Sequence, residues 1–183
     1  MSKKVVTGLV RFSYLHVFKP YAYREGDTEK YSVALLIPKS DTKTVRKIHA
    51  AVDAVIEEGV QTKWGGKKPK DLSLPLHDGD EEQPEAPEYA GMYYLNAKTS
   101  ADHAPGVFDK DREAILDPSE VKSGDWGRAS VSFYPFNNRL KGVAVGLNSI
   151  QKLKDGEPLG GGDNASASDY ADDYEEVDDD LGF

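Results

Sequence analysis

The chain has 183 residues, 38% of them hydrophobic, which fits one domain with a small core, or one domain with a tail. It has no cysteine, which excludes disulfides, thiolate catalysis and cysteine-ligated zinc, and its longest aliphatic run, residues 33–37, is far short of the ~20 residues that span a bilayer. The formal net charge of −9 comes from nine acidic residues after position 162, since acidic and basic residues balance before it. We expect a cytoplasmic protein with no membrane partner.

Most of the predicted regular structure is strand. Segments rich in Val, Ile, Phe and Tyr predict five strands. One long helix is predicted over 42–58, where apolar residues recur every three or four positions, with Gly59 at its end, and a helical turn is predicted near 118–121. This content predicts a mainly β fold, an OB-like five-stranded Greek-key barrel with one main α-helix and long loops. The predicted strands are 5–18, 30–37, 92–98, 128–136 and 142–151.

Two segments depart from this pattern. Residues 59–91 join a basic stretch to an acidic one and contain four prolines, which predicts a long loop that is neither helix nor strand. After three glycines, the last part of the chain is acidic and has almost no aliphatic residue, which is typical of disorder. We therefore expect a folded domain over 1–159 and a flexible acidic tail over 160–183.

Signatures of catalysis are weak. The four histidines have no metal-ligand spacing, and neither a phosphate-binding glycine loop nor a serine-nucleophile motif occurs. We predict no catalytic residue, no metal and no cofactor. Carboxylates at 78–88 and 109–113 keep a magnesium-dependent nuclease as an alternative, and an adaptor that acts through its acidic tail alone is another.

The distribution of charge and aromatic residues favours binding of a polyanion. Residues 1–70 carry 14 basic and 7 acidic residues, whereas 71–125 carry 4 and 14. In strand 128–136, alternation puts Ala129, Val131 and Phe133 in the core and a face of Arg, Ser, Tyr and Phe outside.

Outward aromatic rings of this kind can stack on nucleic-acid bases while basic groups hold phosphates. Trp64 stands among lysines, where an exposed indole indicates a binding partner. The residues predicted to contact single-stranded nucleic acid are Arg11, Tyr14, Lys63, Trp64, Lys67, Lys68, Lys70, Tyr94, Lys98, Arg128, Tyr134, Phe136 and Arg139.

The end of the sequence is an acidic run that closes on Leu181, Gly182 and Phe183. It resembles the C-terminal tips of bacterial and phage single-stranded DNA-binding proteins, whose terminal Phe docks in a basic pocket of partner enzymes. The resemblance implies that replication or recombination enzymes are partners of this tail. The residues it implies for that contact are Asp178, Asp179, Asp180, Leu181 and Phe183.

The body of the chain also resembles a known family. Residues 30–39, 124–137 and 141–157 are similar to phage-encoded single-stranded DNA-binding proteins. The resemblance implies an OB barrel with an acidic tail, and a non-enzymatic, sequence-nonspecific binder of single-stranded DNA in phage replication or recombination, in the host cytoplasm. Free strand edges also make a homodimer or a cooperative array on DNA possible outcomes.

Overall fold

The computed structural model describes residues 3–159. The fold has five long strands, several short strands and turns, and one long helix. In the chain, the helix lies between the second and third long strands. The elements in chain order are β1 (Lys3–Val6), β2 (Val10–Tyr21), β3 (Lys30–Pro38), α1 (Thr42–Thr62), β4 (Leu72–Ser73), β5 (His77–Asp78), α2 (Gly79–Glu82), β6 (Met92–Ser100), β7 (Gly106–Phe108), β8 (Trp126–Asn137) and β9 (Lys141–Lys154), with 3-10 turns at Pro87–Tyr89 and Pro118–Glu120.

The five long strands form a closed ring in the order β2, β3, β6, β9, β8 and back to β2. All of these pairings are antiparallel except β6 with β9, which is parallel and registered at Lys98 and Gly146. The short strand β1 pairs with β8, while β4 and β7 pair with β9. The predicted mainly β fold, an OB-like barrel with one main helix, is confirmed.

The barrel interior follows the alternation of the strands. In β8 the predicted core residues Ala129, Val131 and Phe133 are all buried, and in β3 Leu35 and Ile37 are fully enclosed. The predicted strand 5–18 is in fact two strands, because the chain breaks between β1 and β2 and only the second enters the ring. The predicted hairpin of β8 and β9 is confirmed.

Helix α1 packs its apolar stripe, including Ile48, Val52 and Val55, against the barrel core. The Asp41 carboxylate caps its start by accepting a hydrogen bond from the Thr44 amide at 3.1 Å. The prediction that Gly59 ends the helix is wrong, since α1 continues to Thr62. A Cβ on Gly59 would lie 2.6 Å from the ring of Trp64, so this glycine permits close packing instead of termination.

The segment 59–91 is more ordered than the sequence predicted. It contains β4, β5, α2 and a 3-10 turn, so the prediction of neither helix nor strand is wrong for those parts. The Lys39 ammonium holds the segment on the barrel through Asp78 at 2.7 Å and Asp80 at 2.8 Å. These bonds raise the pKa of Lys39 and lower those of both carboxyls.

The predicted acidic tail, 160–183, lies outside the described residues, together with its five predicted partner-binding residues. The boundary between domain and tail stays a prediction. Within residues 3–159, no helix has the length and apolar character needed to cross a membrane.

Candidate nucleic-acid interface

A groove of about 780 Å³ runs over the outer face of β2, β3 and β6. Its floor is set by strand register, since Ala34 pairs with Asn96 and Ser32 pairs with Lys98. Paired residues project to the same side of a sheet, so these four side chains lie together. Asn96 and Lys98 are exposed, which leaves a polar, cationic floor open to solvent.

One wall of the groove is aromatic and comes from the end of β2 and the residues that follow it. The His16 and Tyr21 rings stack with centroids 4.3 Å apart, and Tyr23 meets Tyr21 edge-on at 4.8 Å. Tyr14 lies 6.5 Å from Tyr23 in a T-shaped arrangement. Tyr23 and Tyr14 are 57% and 41% exposed, so both present ring surface that a base could cover.

The backbone at Tyr14 explains how its side chain reaches this wall. Its φ of 48° is in the left-handed region, which is uncommon for a residue other than glycine, and the register of β2 against β3 shifts between Ser13 and His16. Such a bulge re-aims the side chain of a strand residue. Backbone strain of this type is often found where a side chain serves a binding site.

The opposite wall consists of three rings that pack on one another. Tyr94 stacks on His77 with centroids 4.9 Å apart and meets Tyr89 edge-on at 5.0 Å. Burial raises the pKa of Tyr89 to about 12, so its phenol stays neutral. Tyr94 is only 5% exposed, because residues 77–89 fold over it. Little of the Tyr94 ring is therefore accessible for the predicted contact with DNA.

The polar groups of the groove suit an anionic ligand. Lys30 and Lys98 line it, and Arg24 lies at its edge with a hydrogen bond to Asp27 at 3.1 Å. The Ser32 hydroxyl oxygen is buried and has no hydrogen-bond partner in the described part of the chain. An unsatisfied buried hydroxyl is costly, and a bound ligand could satisfy it.

Trp64 corrects the sequence prediction most clearly. Its side chain is 6% exposed, and its indole Nε1 donates a hydrogen bond to the carbonyl oxygen of Phe136 at 3.1 Å. The prediction of an exposed indole is therefore wrong. The carbonyl of Lys63 accepts a hydrogen bond from Asn137 at 3.0 Å, so the basic loop 63–70 is attached to the end of the β8–β9 hairpin.

The cations of that loop are exposed at this end of the barrel. The hairpin turn adds exposed Arg139 and Lys141, so two basic segments distant in sequence become neighbours. The members of this set that the sequence predicted as DNA contacts are Lys63, Lys67, Lys68, Lys70 and Arg139; their contact with DNA stays a prediction.

Two other predicted arginines already have internal partners. Arg11 donates to the carbonyls of Gly124 at 3.0 Å and Glu157 at 2.8 Å, and its guanidinium lies 5.7 Å from the centre of the Trp126 ring. Arg11 thus holds the residues after β9 near the start of β8. This structural role explains the arginine at this position without a contact to DNA. Arg128 donates through Nε to the carbonyl of Thr7 at 2.8 Å, but the residue as a whole is exposed.

The outer face of β8 is as the alternation predicted. Tyr134 is 43% exposed and Phe136 is half-buried. Between β8 and β9, Asn148 donates to the hydroxyls of Ser132 at 2.9 Å and Ser130 at 3.2 Å. This face is therefore built of small polar side chains beside one exposed tyrosine.

Three of the carboxylates considered for a nuclease have local structural partners. Asp78 and Asp80 bind Lys39, and Asp109 accepts hydrogen bonds from the backbone amides of Asp111 and Glu113 at 2.8 and 2.9 Å. No group of three or more His, Asp or Glu side chains is placed to hold a metal ion within residues 3–159.

Sequence reasoning missed several groove residues. A signal for some of them was present, since residues 11–24 mix aromatic and basic side chains, but only the fold shows which of these leave the core. Alternation in strand 92–98 puts Asn96 on the same face as Tyr94 and Lys98, which is a local signal. For Ser32 no such signal exists, because it reaches the groove only through strand pairing. The missed groove residues are Tyr21, Tyr23, Arg24, Lys30, Ser32 and Asn96. His16 supports them by stacking on Tyr21.

The closed five-stranded ring, with an aromatic, cationic groove on the outer face of its first three long strands, defines the class: an OB-type barrel. The chain belongs to the family described as Enterobacter phage Enc34, ssDNA-binding protein, whose family model matches residues 3–181. A relative, protein p50 of Acyrthosiphon pisum secondary endosymbiont phage 1, is 30% identical over 179 residues, with 92% of this chain and 93% of the relative covered.

Solved structures agree with this assignment. The single-stranded DNA-binding protein from bacteriophage Enc34 in complex with ssDNA is similar, with a TM-score of 0.74, 31% identity, and coverage of 86% of this chain and 89% of that chain. Gp2.5, a single-stranded DNA-binding protein encoded by bacteriophage T7, matches with a TM-score of 0.65 and 20% identity over 96% of this chain and 97% of that chain. The T7 likeness shows a shared fold alone.

Proposed function

We propose that this protein binds single-stranded DNA without sequence preference, in phage replication or recombination. The observation that carries the proposal is the groove, where exposed Tyr14 and Tyr23 stand beside Lys30 and Lys98. Each base stacked on an aromatic ring contributes roughly 1–3 kcal/mol, and stacking accepts every base. A family member 31% identical to this chain has been solved in complex with ssDNA, which supports the same ligand here.

The acidic tail has two roles in this proposal. Its nine carboxylates compete with DNA for the cationic surface, and Asp178, Asp179, Asp180, Leu181 and Phe183 bind replication or recombination enzymes. Charge complementarity supports the first role, since residues 1–162 are neutral overall but concentrate their cations at a few places. The setting we propose is the cytoplasm of the infected host, with a homodimer or a cooperative array on DNA as the bound form.

A titration with fluorescently labelled oligo-dT tests the proposal. We expect binding that weakens as salt rises, because the protein's cations displace salt counterions from the DNA phosphates and their release is less favourable at high salt. Tyr23→Ala should weaken binding, whereas Leu116→Ala, which removes an apolar side chain that is 85% exposed and outside the groove, should not. Equal affinity for all three proteins would refute the role of the groove.

The same titration examines the two alternatives. Cleavage of the oligonucleotide on addition of magnesium would favour the nuclease, for which none of the named relatives gives support. Absence of binding would favour the adaptor.

A further inference from the structure

A second cationic cleft lies on the outer face of β8 and β9, between β1 and β7. It has a volume of about 350 Å³ and is lined by three cations, Lys4, Arg112 and Arg128, with Phe108 as its aromatic side chain. None of these cations has a carboxylate within 4.0 Å among residues 3–159. Cations gathered around a depression without a carboxylate partner form a site for an anion.

Acidic residues do occur in the loop that carries Arg112. The Asp109 carboxylate is occupied by two backbone amides of its own turn, while Asp111 and Glu113 are exposed and do not line the cleft. The surface facing the cleft is therefore positive.

Strand pairing connects this cleft to the groove. One row of paired residues runs from Lys98 in the groove through Gly146 and Ser132 to Lys4 in the cleft. Neighbouring strands lie about 4.8 Å apart, so three spacings separate the two lysines by roughly 15 Å along the surface. Paired side chains share a face, which places both lysines on the outside of the barrel.

The surface between the two lysines is shaped for a chain to cross. Its own residues are a glycine and a serine, whose side chains are small. The Tyr134 ring borders it, because a Cβ built on Gly146 would lie 3.5 Å from that ring. Tyr134 is thus an exposed aromatic beside the crossing, and the Ser132 hydroxyl and the Asn148 amide supply polar groups.

We propose that single-stranded DNA leaving the groove crosses β9 and β8 over Gly146 and Ser132, and that its phosphates are held in the second cleft by Lys4, Arg112 and Arg128. This inference rests on the proposed function, because it extends the DNA path beyond the groove. Continuity of the path favours DNA over an acidic peptide, since a peptide held in the cleft would need neither the open glycine nor the bordering tyrosine.

Oligonucleotide length separates the two sites. Full-length protein is titrated with oligo-dT of about 4 to 16 nucleotides, the range of site sizes for one OB fold. The variant Lys4→Gln/Arg112→Asn removes two cleft cations but keeps the Arg128–Thr7 hydrogen bond, and Asn tolerates the Arg112 φ of 66°. The control Lys43→Gln/Arg46→Gln removes the same charge from α1, outside both sites.

We expect the cleft variant to bind the shortest oligonucleotides as the unchanged protein does, and to bind the longest more weakly than the unchanged protein. For the longest, the slope of log affinity against log salt should fall by about 1.4, since each phosphate that is no longer neutralised lowers it by about 0.7. Gly146→Val, which fills the crossing without touching a cation, should give the same length-dependent decrease in affinity with an unchanged fold by circular dichroism.

The experiment distinguishes failure of the proposed function from failure of the extended DNA path. If the unchanged protein binds no oligonucleotide, the proposed function fails. If it binds every length and the cleft variant matches it throughout, or is weakened equally at every length, the extended path is overturned. If the cleft variant matches the unchanged protein at every length, an acidic peptide becomes the ligand that the cleft fits.

Discussion

The indole Nε1 of Trp64 donates a hydrogen bond to the carbonyl oxygen of Phe136 at 3.1 Å. This bond joins the chain just after α1 to β8 and fixes where the basic loop begins. A residue that the sequence presents as a ligand contact is therefore a structural anchor. It fixes where the loop that carries the lysines begins.

Trp64→Phe should lower the free energy of unfolding by about 0.5–1.5 kcal/mol, because it removes one hydrogen bond and keeps an aromatic ring. Gly59→Ala should lower it by about 1–3 kcal/mol, since the new methyl group would overlap the Trp64 ring. Urea unfolding followed by circular dichroism measures both. A Trp64→Phe protein as stable as the unchanged chain would contradict the anchoring role.

Tyr134→Ala should weaken binding of single-stranded DNA by roughly 1–3 kcal/mol with little change in stability, because the ring is exposed and stands beside the proposed DNA path. Phe136→Ala should affect stability more, since this side chain is half-buried. Affinity and melting temperature measured on both variants test the difference. A Tyr134→Ala protein that unfolds easily but binds normally would place this ring in the core.

Neutral replacements of Lys63, Lys67, Lys68 and Lys70 should reduce the slope of log affinity against log salt. Each phosphate contact on a single strand contributes about 0.7 to that slope. Affinity measured at several salt concentrations gives the slope. An unchanged slope would mean that this end of the barrel points away from DNA.

Asp125 should make the stability depend on pH in the acid range. Its side chain is fully buried, which by itself raises the pKa, but hydrogen bonds from Lys122, Lys152 and two backbone amides outweigh burial and hold the pKa below its ordinary value of 3.8. A group with a depressed folded-state pKa stabilises the fold above the unfolded-state value. Its contribution is lost as pH falls through the folded-state pKa.

Asp125→Asn should therefore lower the free energy of unfolding at neutral pH by roughly 1.5–3 kcal/mol, the magnitude for hydrogen bonds to charged groups. The difference from the unchanged protein should shrink below about pH 4. Denaturant unfolding across pH measures it, with Asp102→Asn at an exposed position as control. A difference that is constant with pH would show that the ionised carboxylate is not responsible.

Deletion of 163–183 changes the formal net charge from −9 to 0 and should raise DNA affinity, most at low salt, where screening is weakest. A flexible chain of ~20 residues would span about 25 Å, so a tail of the predicted kind would reach the body's cationic surface. Deletion of Phe183 alone keeps all nine acidic residues and should leave DNA affinity nearly unchanged while it weakens binding of replication partners. Equal DNA affinity with and without 163–183 would refute competition by the tail.

Features set by local periodicity could be predicted from the sequence. The buried face of β8 followed from strict alternation, and the apolar stripe of α1 followed from its three- and four-residue spacing. The burial of Tyr94 could not be predicted in this way. It depends on Tyr89 and His77, which are brought over β6 by a segment with no clear pattern of its own.

The groove over β2, β3 and β6 also combines features that the sequence predicted with features that it did not. The aromatic residues of 11–24 were visible as a mixture, yet Tyr21 lies beyond the predicted end of its strand, past Pro20, a residue that normally discourages strand extension. The floor of the groove is created by the pairing of β3 with β6, and α1 and the following loop separate these two strands in the chain. The combined floor is a property of the register, and the sequence predicted only Lys98 of it.

The barrel ring closes where β6 meets β9, and the registered pair at that closure is Lys98 with Gly146. The two strands are far apart in the chain, and long-range pairings form only after their loop-closure entropy has been met. Together with the longer-range pairing of β2 with β8, this seam is therefore expected to form late during folding and to separate early during unfolding. Single-stranded DNA that crosses this seam would contact both strands at once. Bound DNA would therefore slow the separation of β6 from β9 and lengthen the lifetime of the folded barrel.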